Sequence, residues 1–539
     1  MAHPFNEEFR FGSASWATEQ EVKKTGLFRP KGLQIGFFGK KPVYSDGDAP
    51  LICIAGAGGG KHACLLSYIL CKDRAEENTV AVDMRGELAA TSIHNAARHK
   101  QPVYIFNPFG LHGLPQDRVN LFDLLKPDCP KLHSNAEMLA INIIRLSGSS
   151  NGKYFELTAQ SWIKSILIAL TLKDGYVDVD NFMRAINAIE GDLAYWQLVL
   201  DVMLSSEFED VRRTGSEMLM RQQEDPKSFG YFMGEIYAYT ICFNNPQIRE
   251  SLTKPTFSMN DITNPNRTCK IFIVIPAEYI EQLSMLVSLF GINALTYKTQ
   301  APAAPRLNLI VDEAGQMGRA DFLIRSYTYG RGAGVRAFAL FQDVGQIKRH
   351  YGIEGVQQFL GSSQTRIFFA IRDIETARMV SDMLGEETLE YDDKLKQSEA
   401  RRHKRRAVHD ILNGKDPFEA AGEYRFHRQV ETYRSKQSRR LRTPDEILRM
   451  DEDKMIVFMS GKDLNPMELD KRPYFHEGHM AGYYLSNPYH PPIDRVQVKT
   501  FFGMHWRKVV TEPVPSALQH LPQYSEGTWQ YVQGYRPKY

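Results

Sequence analysis

Short apolar runs alternate with stretches of helical spacing along most of this chain. The runs are rich in Val, Ile, Leu and Phe, and they predict strands at residues 50–54, 79–83, 102–106, 270–275, 307–311, 335–341, 366–370 and 454–459. Strands that alternate with helices favour a mostly parallel sheet that is covered on both faces. The pattern therefore predicts an α/β fold.

The strand pattern stops in the middle of the chain and again near its end. Residues 135–260 contain no strand-like run, while 154–172 and 193–204 show helical spacing, which predicts an inserted all-α domain. The two parts of the α/β domain then cover residues 1–134 and 261–477. From about residue 478 the chain is rich in Pro, Tyr, His and Gln, which predicts either a docking tail or a disordered one over 478–539.

Composition indicates a large globular protein without a global charge. The 539 residues are 43% hydrophobic and carry a formal net charge of +2, so no overall field attracts nucleic acid. The six cysteines show no C-x-x-C spacing and read as buried thiols. Residues 394–442 are strongly basic. These residues could contact DNA phosphates or an anionic membrane, or they could form a solvated helix or loop. The basic side chains include Arg401, Arg402, Lys404, Arg405 and Arg406.

A glycine-rich loop, AGAGGGKH, follows the predicted strand at 50–54 and precedes an expected helix at 63–70. Glycines let backbone N–H groups face phosphate oxygens, and a helix N-terminus adds a favourable dipole. The lysine would place a point charge at the outer phosphates. The loop therefore predicts a phosphate site, with a flexible glycine turn as the alternative, formed by Gly56, Ala57, Gly58, Gly59, Gly60, Lys61 and His62.

A second motif, LNLIVDEAG, delivers Asp312 and Glu313 to the C-terminal end of a predicted buried strand. Ligands bind at that edge of open α/β sheets. One carboxylate can hold Mg²⁺ through its water shell, and the other can orient or deprotonate an attacking water. We expect the two side chains to point to opposite faces, as neighbours on a strand do. Alone, the pair could merely cap the next segment; together with the glycine loop it predicts nucleoside triphosphate hydrolysis.

Longer segments resemble one family, the TraG/TraD-type coupling ATPases of type IV secretion and bacterial conjugation. The resemblance runs from about residue 11 to about residue 475, with the motifs in the family's order. They are GSASWAT, TGL, KGLQIG, AGAGGGKH, VAVDMRGEL, PVYIFNPFG, VDEAGQMGR, GRGAGVRAFALFQDVGQI, TRIFFAIRDIETARMVSDMLG, RTPDEILRM and SGK. The resemblance implies a RecA-like nucleotide-binding domain that uses ATP and Mg²⁺, with an all-α insertion that chooses cargo.

Family roles transfer by position. Lys61 would bind the β- and γ-phosphates, Asp312 the magnesium ion, and Glu313 would activate water. Gln342 resembles the family's sensor glutamine, which can hydrogen-bond the γ-phosphate or the lytic water. Arg331 resembles an arginine finger that enters the neighbouring subunit's site and contributes about 10³ to 10⁵ in rate. The finger implies a homo-oligomeric ring, expected to be a hexamer.

The loop departs from the strict G-x-x-x-x-G-K-[ST] pattern at Ala55 and at His62. A hydroxyl at the last position would ligate Mg²⁺, and a neutral imidazole suits so hard an ion poorly. Family members often carry glycine there, which implies that water can replace the hydroxyl. His62 therefore leaves open a nucleotide-silent adaptor that recruits cargo for another ATPase. A related DNA-translocating motor is a further alternative.

The resemblance also implies partners and a location. The partners are DNA, a relaxase or effector protein as cargo, and components of the secretion channel. We expect a cytoplasmic protein, peripheral at the inner membrane. No apolar run approaches the ~18 residues of a membrane span, and the N-terminus is not a signal peptide. Members of the family usually begin with transmembrane helices, so the chain is unanchored, has lost its anchor, or uses an anchoring partner.

Overall fold

The computed structural model describes residues 9–71, 76–146, 152–391, 393–412, 416–432, 434–489 and 494–538. Among these residues an eleven-stranded sheet forms the centre of the molecule. Its strands are β1 (Leu33–Phe38), β2 (Lys41–Ser45), β3 (Leu51–Ala55), β4 (Asn78–Asp83), β5 (Val103–Phe106), β6 (Lys270–Val274), β7 (Leu307–Val311), β8 (Val335–Phe341), β9 (Thr365–Phe369), β12 (Lys454–Met459) and β13 (Met467–Asp470).

The strand order is β2-β1-β13-β12-β9-β3-β8-β7-β4-β6-β5. All neighbours from β9 to β5 run parallel, and the four strands on the other side of β9 extend the sheet by antiparallel pairing. The predicted α/β fold with a mostly parallel sheet is confirmed. Each strand predicted from an apolar run is present within one residue at either end. The antiparallel strands β1, β2 and β13 were not predicted.

Helices cover both faces of this sheet. The α-helices of the described residues are α1 (Glu19–Lys24), α2 (Ser67–Leu70), α3 (Glu87–Arg98), α4 (Leu132–Ile143), α5 (Lys153–Asp174), α6 (Val179–Gly191), α7 (Leu193–Leu204), α8 (Glu209–Glu224), α9 (Pro226–Thr240), α10 (Pro246–Ser251), α11 (Ser284–Gln300), α12 (Asp321–Thr328), α13 (Val344–Ser362), α14 (Ile374–Leu384), α15 (Lys394–Leu412), α16 (Pro417–Thr432) and α17 (Pro444–Leu448). None of the described helices is long and apolar enough to cross a membrane.

Alternate side chains of each buried strand enter two different cores. Ile52 and Ile54 of β3 join the cluster that contains the helices from α4 to α10. Leu51 and Cys53 join a second cluster on the other face, where α2 and α3 pack. This alternation requires strands that are apolar throughout, which explains their continuous hydrophobic runs.

The helical insertion is continuous with the core of one sheet face. Its helices α4 to α10 contribute buried side chains such as Trp162 and Phe182 to the same cluster as Val80 and Val311 of the sheet. The insertion therefore packs on the α/β domain rather than forming a separate core. The helix predicted at 193–204 is present with those bounds as α7.

The basic segment forms a projecting hairpin of helices. Strands β10 (Glu386–Tyr391) and β11 (Ser435–Arg440) pair into a two-stranded antiparallel ribbon, and α15 and α16 extend from it. The N-terminal segment contacts the base of this ribbon, because the Ala14 N–H donates to the Glu386 carbonyl (3.0 Å). Over its described residues α15 is a helix with mostly exposed side chains, and its contact with DNA phosphates or an anionic membrane stays a prediction.

The Pro- and Tyr-rich C-terminal segment is folded over its described residues. It contains a three-stranded sheet of β14 (Arg495–Thr500), β15 (Gly503–Pro513) and β16 (Thr528–Val532). Val498 and Val532 are buried against Tyr484. Disorder therefore does not describe these residues, because their aromatic and β-branched side chains pack in one small core with Phe37 and Tyr68.

Candidate functional site

Four chemically active positions follow neighbouring parallel strands at one edge of the sheet. The glycine loop follows β3, Gln342 follows β8, Asp312 follows β7 and Asp83 ends β4. The strands are adjacent in the order β3-β8-β7-β4. The register places Phe341 beside Ile54, Ala339 beside Val311, and Val82 beside Val311. Parallel strands end at the same edge, so the structure brings together the predicted glycine loop, Gln342 and Asp312.

The glycine loop is tightly enclosed by the chain that follows β9. The Gly56 N–H donates to the Ala370 carbonyl (3.2 Å), and Ala370 has a positive φ of 49°. A Cβ on Gly56 would lie 2.4 Å from that carbonyl oxygen, and one on Gly59 would lie 2.7 Å from the Ala370 Cβ. Any side chain at either position would force the loop open, so these glycines fix its path.

The chain after the loop begins with a π-helical turn, His62–Leu66, that continues into α2. The predicted helix is therefore present, but its first turn is wider than an α-helix. Single π-helical turns occur frequently at functional sites. The turn starts directly after Lys61, at the place where the free N–H groups of a helix N-terminus can bind an anion.

Two lysines lie at the glycine loop. Lys61 is 9% exposed, and its ammonium donates to the Ala55 carbonyl (3.3 Å). Lys471, which follows β13, donates to the Gly59 carbonyl (2.9 Å), and its ammonium lies 4.8 Å from the centre of the Phe369 ring. Burial lowers the pKa of Lys471. No sequence motif marks Lys471 as a site residue, because it lies more than 400 residues after the loop that it contacts.

His62 turns its ring toward α3. Nε2 lies 3.2 Å from Ser67 Oγ and 3.4 Å from Thr91 Oγ1, and Nδ1 lies 3.9 Å from Glu87 Oε2. The ring also packs edge-on against Tyr474, with 5.9 Å between the ring centres. The imidazole thus contacts α3 through Thr91 and Glu87, α2 through Ser67, and the ring of Tyr474.

Asp312 and Glu313 lie just beyond β7, which ends at Val311. The two residues are therefore not neighbours on a strand, and Glu313 adopts the left-handed conformation (φ 52°, ψ 46°). Such a conformation costs a non-glycine residue about 1–3 kcal/mol and is found mainly at functional sites. Burial raises the pKa of Asp312 to about 6, although the Lys61 charge opposes that shift.

Asp83 is a member of the site that the sequence reasoning missed. The side chain is wholly buried, and Oδ2 accepts from the Ala89 N–H (2.9 Å). Oδ1 has no hydrogen-bond partner among the described residues. Burial, with the charges of Asp312 and Glu87 added to it, raises the pKa of Asp83 to about 7. The signal was present in the VAVDMRGEL segment, where an acidic residue ends a buried strand.

Gln342 and Arg331 lie at opposite ends of β8. The Gln342 N–H donates to Gln346 Oε1 (2.9 Å), which fixes the backbone directly after the strand. Arg331 precedes β8 in a 3₁₀ turn, Gly330–Ala333, and its side chain is exposed. The structure therefore places Arg331 at the far edge of the sheet from the other predicted site residues.

The described residues contain no cluster of three or more His, Cys, Asp or Glu side chains that could hold a metal ion alone. The site instead combines a glycine loop with a lysine, two buried carboxylates whose pKa values are raised, and a strained glutamate. Buried carboxylates that share negative charge are stabilised by a nearby cation. This donor set fits a hard, oxygen-preferring ion such as Mg²⁺ that takes its remaining ligands from phosphate and water.

Known proteins are similar to this chain in sequence. The family model for type IV secretory system conjugative DNA transfer matches residues 10–410 and 425–502. Conjugal transfer protein TraG of Escherichia coli is 20% identical over 427 residues, covering 71% of this chain and 65% of TraG. The coupling protein VirD4 of Bartonella quintana (strain Toulouse) is 22% identical over 479 residues, covering 83% of this chain and 66% of VirD4. The chain thus spans slightly less than two thirds of the length of these relatives.

Solved structures of a conjugative coupling protein share the fold. TrwBdeltaN70, in an unbound monoclinic form, has a TM-score of 0.58 and 16% identity, covering 86% of this chain and 96% of that chain. TrwB in complex with ADP and Mg²⁺ has a TM-score of 0.56 and 15% identity, covering 85% of this chain and 94% of that chain. With a family match over most of its length, the chain belongs to the type IV secretion coupling protein family.

Proposed function

We propose that this chain is an ATP-hydrolysing coupling protein that recruits or moves DNA or protein cargo to a type IV secretion channel. The observation that carries the proposal is the meeting of the glycine loop, Gln342 and Asp312 at one sheet edge, with β8 between β3 and β7. TrwB, which shares the fold, was crystallised with ADP and Mg²⁺. ATP and Mg²⁺ are accordingly the cofactors that we propose here.

Each residue then has one task. The N–H groups of the loop and the Lys61 ammonium bind the phosphates, and Asp312 holds the metal ion through its water shell. Glu313 orients or deprotonates the attacking water, and Gln342 hydrogen-bonds the γ-phosphate or that water. When bound, Mg²⁺ neutralises charge that develops between the β- and γ-phosphates.

Partners and assembly extend the proposal. Arg331 would complete the site of a neighbouring subunit in a ring, expected to be a hexamer. The helices over 135–260 would select cargo, namely DNA with a relaxase or an effector protein, and would present it to channel components. An anchoring partner would place the ring at the membrane. The domain limits 1–134, 135–260, 261–477 and 478–539 remain part of this proposal.

The nucleotide-silent adaptor is the second candidate, because His62 removes the usual hydroxyl. The contact of the imidazole with Thr91 of α3 weakens that argument, since it directs the ring toward that helix. Hydrolysis therefore remains the better supported function.

Magnesium-dependent ATP turnover, measured with and without single- and double-stranded DNA, tests the proposal. Lys61→Ala should abolish nucleotide binding or turnover, because Lys61 supplies the point charge at the outer phosphates. Glu313→Gln should keep the binding and stop turnover, because the amide cannot accept the proton of water.

Lys100→Ala is a matched control, since Lys100 lies on the turn after α3, away from the loop. It should leave binding and turnover at wild-type levels. Turnover that survives in both site variants would contradict the proposed site. Absence of nucleotide binding by the wild-type protein would favour the adaptor.

A further inference from the structure

A second acidic group lies beside the residue that lacks a hydroxyl. Glu87 is the first residue of α3, it is 7% exposed, and its Oε2 lies 3.9 Å from His62 Nδ1. Glu87 follows β4, and the C-terminal end of β4 lies beside that of β7, which Asp312 follows. Glu87 therefore lies at the edge of the sheet where the glycine loop and Asp312 meet.

The C-terminal part of the chain holds this glutamate in place. Residues 484–489, here called the strap, cross the start of α3. Asn487 is 4% exposed and its Nδ2 donates to Glu87 Oε2 (2.9 Å), while Arg85 Nε contacts Glu87 Oε1 (2.9 Å). Both oxygens of the carboxylate are thus held by fixed donors.

The strap is fixed at each end of its contact with α3. The Leu485 N–H donates to the Thr91 carbonyl (3.0 Å). Tyr489 Oη donates to the Arg85 carbonyl (3.2 Å), and the Arg85 guanidinium lies 4.3 Å from the centre of the Tyr489 ring. Asn487 lies between these contacts, so its amide has little freedom to leave Glu87.

The edge also contains an unsatisfied buried oxygen. Asp83 Oδ1 has no hydrogen-bond partner within the described residues, although the side chain is wholly buried. A buried oxygen of this kind costs free energy unless a donor or cation reaches it. Asp312 and Glu87 lie at the same edge of the sheet as this oxygen, and a divalent cation there would interact favourably with their carboxylates.

We propose that Glu87, oriented by Asn487 of the strap, replaces the hydroxyl missing at position 62 and holds water of the nucleotide-bound Mg²⁺. A carboxylate can do this from further away than a hydroxyl, because Mg²⁺ retains several waters when it binds protein. Glu87 acts on the cation's water shell, and Asn487 is a positioning residue that acts through Glu87. The inference rests on the proposed function, since it needs a nucleotide in the site.

Titration of Mn²⁺ into the full chain with saturating ADP, followed by electron paramagnetic resonance, tests this inference without measuring turnover. Glu87→Gln and Asn487→Ala should each weaken Mn²⁺ binding by about tenfold or more, as losses around a metal site do. Affinity for ADP without metal should stay unchanged, a result that a general loss of structure would not give. The double variant should be no weaker than Glu87→Gln alone, because Asn487 acts through Glu87.

Gln523→Ala provides a matched control from the same C-terminal region. Its amide holds the backbone at β5, accepting from the Val103 N–H (3.1 Å) and donating to the Gln101 carbonyl (3.0 Å). This variant should bind Mn²⁺ as the wild type does. Glu87→Gln keeps the side-chain shape, so it decides the question if Asn487→Ala folds poorly.

The outcomes separate the inference from the function on which it rests. Wild-type Mn²⁺ affinity in Glu87→Gln, with ADP still bound, would overturn the inference and leave the proposed function intact. Failure of the wild-type chain to bind ADP at all would overturn both.

Discussion

At the scale of single residues, burial of the Asp83 carboxyl group in the site lowers the stability of the native state. Its pKa is raised to about 7, chiefly by burial. The native state therefore keeps a proton that the unfolded chain releases near pH 4, and native stability falls as pH rises from about 4 to about 7. Asp83→Asn removes this loss and keeps an oxygen for the Ala89 N–H.

We expect Asp83→Asn to unfold at a higher denaturant concentration than the wild type at pH 8, without nucleotide or Mg²⁺. The gain is at most about 4 kcal/mol from the pKa difference, and it should shrink toward zero as pH approaches 4. Urea unfolding at several pH values measures it. A gain that does not change with pH would show that Asp83 is ionised throughout this range.

Asp210→Asn gives a control of opposite sign. Partial burial acts to raise the pKa of Asp210, but hydrogen bonds from Lys164 and His133 outweigh it and lower the pKa to about 2. The stability from this carboxylate is present above pH 4 and is lost as pH falls toward 2. Asp210→Asn should therefore destabilise the protein at pH 8, where Asp83→Asn stabilises it.

The sequence predicted the site residues that belong to recognisable motifs at the ends of neighbouring strands. Lys61, Asp312 and Gln342 each follow a recognisable apolar strand, so a parallel sheet brings them to one edge. The left-handed turn at Glu313 could not be predicted, because no local signal marks a strained non-glycine residue. Lys471 and Asn487 were also missed, because each reaches the site through tertiary contacts with distant segments.

At the scale of elements, the helical hairpin of α15 and α16 contains the cluster of basic residues of the chain. Ala400 and Ala407 are buried along one side of α15, and that side packs on α16. Arg402, Arg405 and Arg406 are exposed on the outer side. Guanidinium groups with this freedom suit the phosphates of DNA, where counterion release makes binding dependent on salt.

We expect replacement of Arg402, Arg405 and Arg406 by Gln to weaken DNA binding and to flatten its salt dependence. The slope of log affinity against log salt should fall by roughly 0.9 for each phosphate of duplex DNA that the variant no longer neutralises. Fluorescence anisotropy over a salt series measures both quantities. An unchanged slope would exclude the hairpin as a DNA-binding element, and retained binding to anionic vesicles but not to DNA would indicate a membrane role.

Lys23, Lys24 and Arg29 provide a control for that experiment. They are exposed at α1 and just after it, and their replacement by Gln removes the same number of charges. DNA affinity should then change only slightly. An equal decrease in both triple variants would show that net charge, rather than the hairpin, attracts DNA.

Elements with a strong hydrophobic pattern were predictable from the sequence, and strands that are defined mainly by pairing with another strand were not. Strands β7, β8 and β12 match their apolar runs, because both faces are buried. In β10 most side chains are exposed, so no hydrophobic run marks it, and pairing with β11 defines it. The strands of the C-terminal segment, β14, β15 and β16, were not predicted for the same reason, because their polar and aromatic composition contains no hydrophobic run.

At the scale of the whole molecule, the position of Arg331 bears on assembly. The seven residues of β8 separate Arg331 from Gln342, which corresponds to roughly 23 Å of strand. An arginine side chain cannot span that distance, so Arg331 cannot reach the glycine loop of its own chain. The side chain is exposed and forms no hydrogen bond or ion pair within the part of the chain that the structure describes. A role in catalysis therefore requires a second copy.

A mixing experiment decides whether Arg331 serves a neighbouring site. Arg331→Ala should lower turnover by about 10³ or more if the guanidinium is a finger, while nucleotide binding persists. Glu313→Gln should be inactive for a different reason, because its own site could not activate water. In a head-to-tail ring of both variants, a subunit with intact Glu313 can receive Arg331 from its neighbour.

Random mixing of the two variants should then restore roughly a quarter of the sites, measured as ATP turnover that neither variant shows alone. Arg331→Ala mixed with the double variant Arg331→Ala/Glu313→Gln is the control, since no subunit then supplies Arg331 and turnover should stay absent. Wild-type turnover by Arg331→Ala alone would contradict the role of Arg331 as an arginine finger.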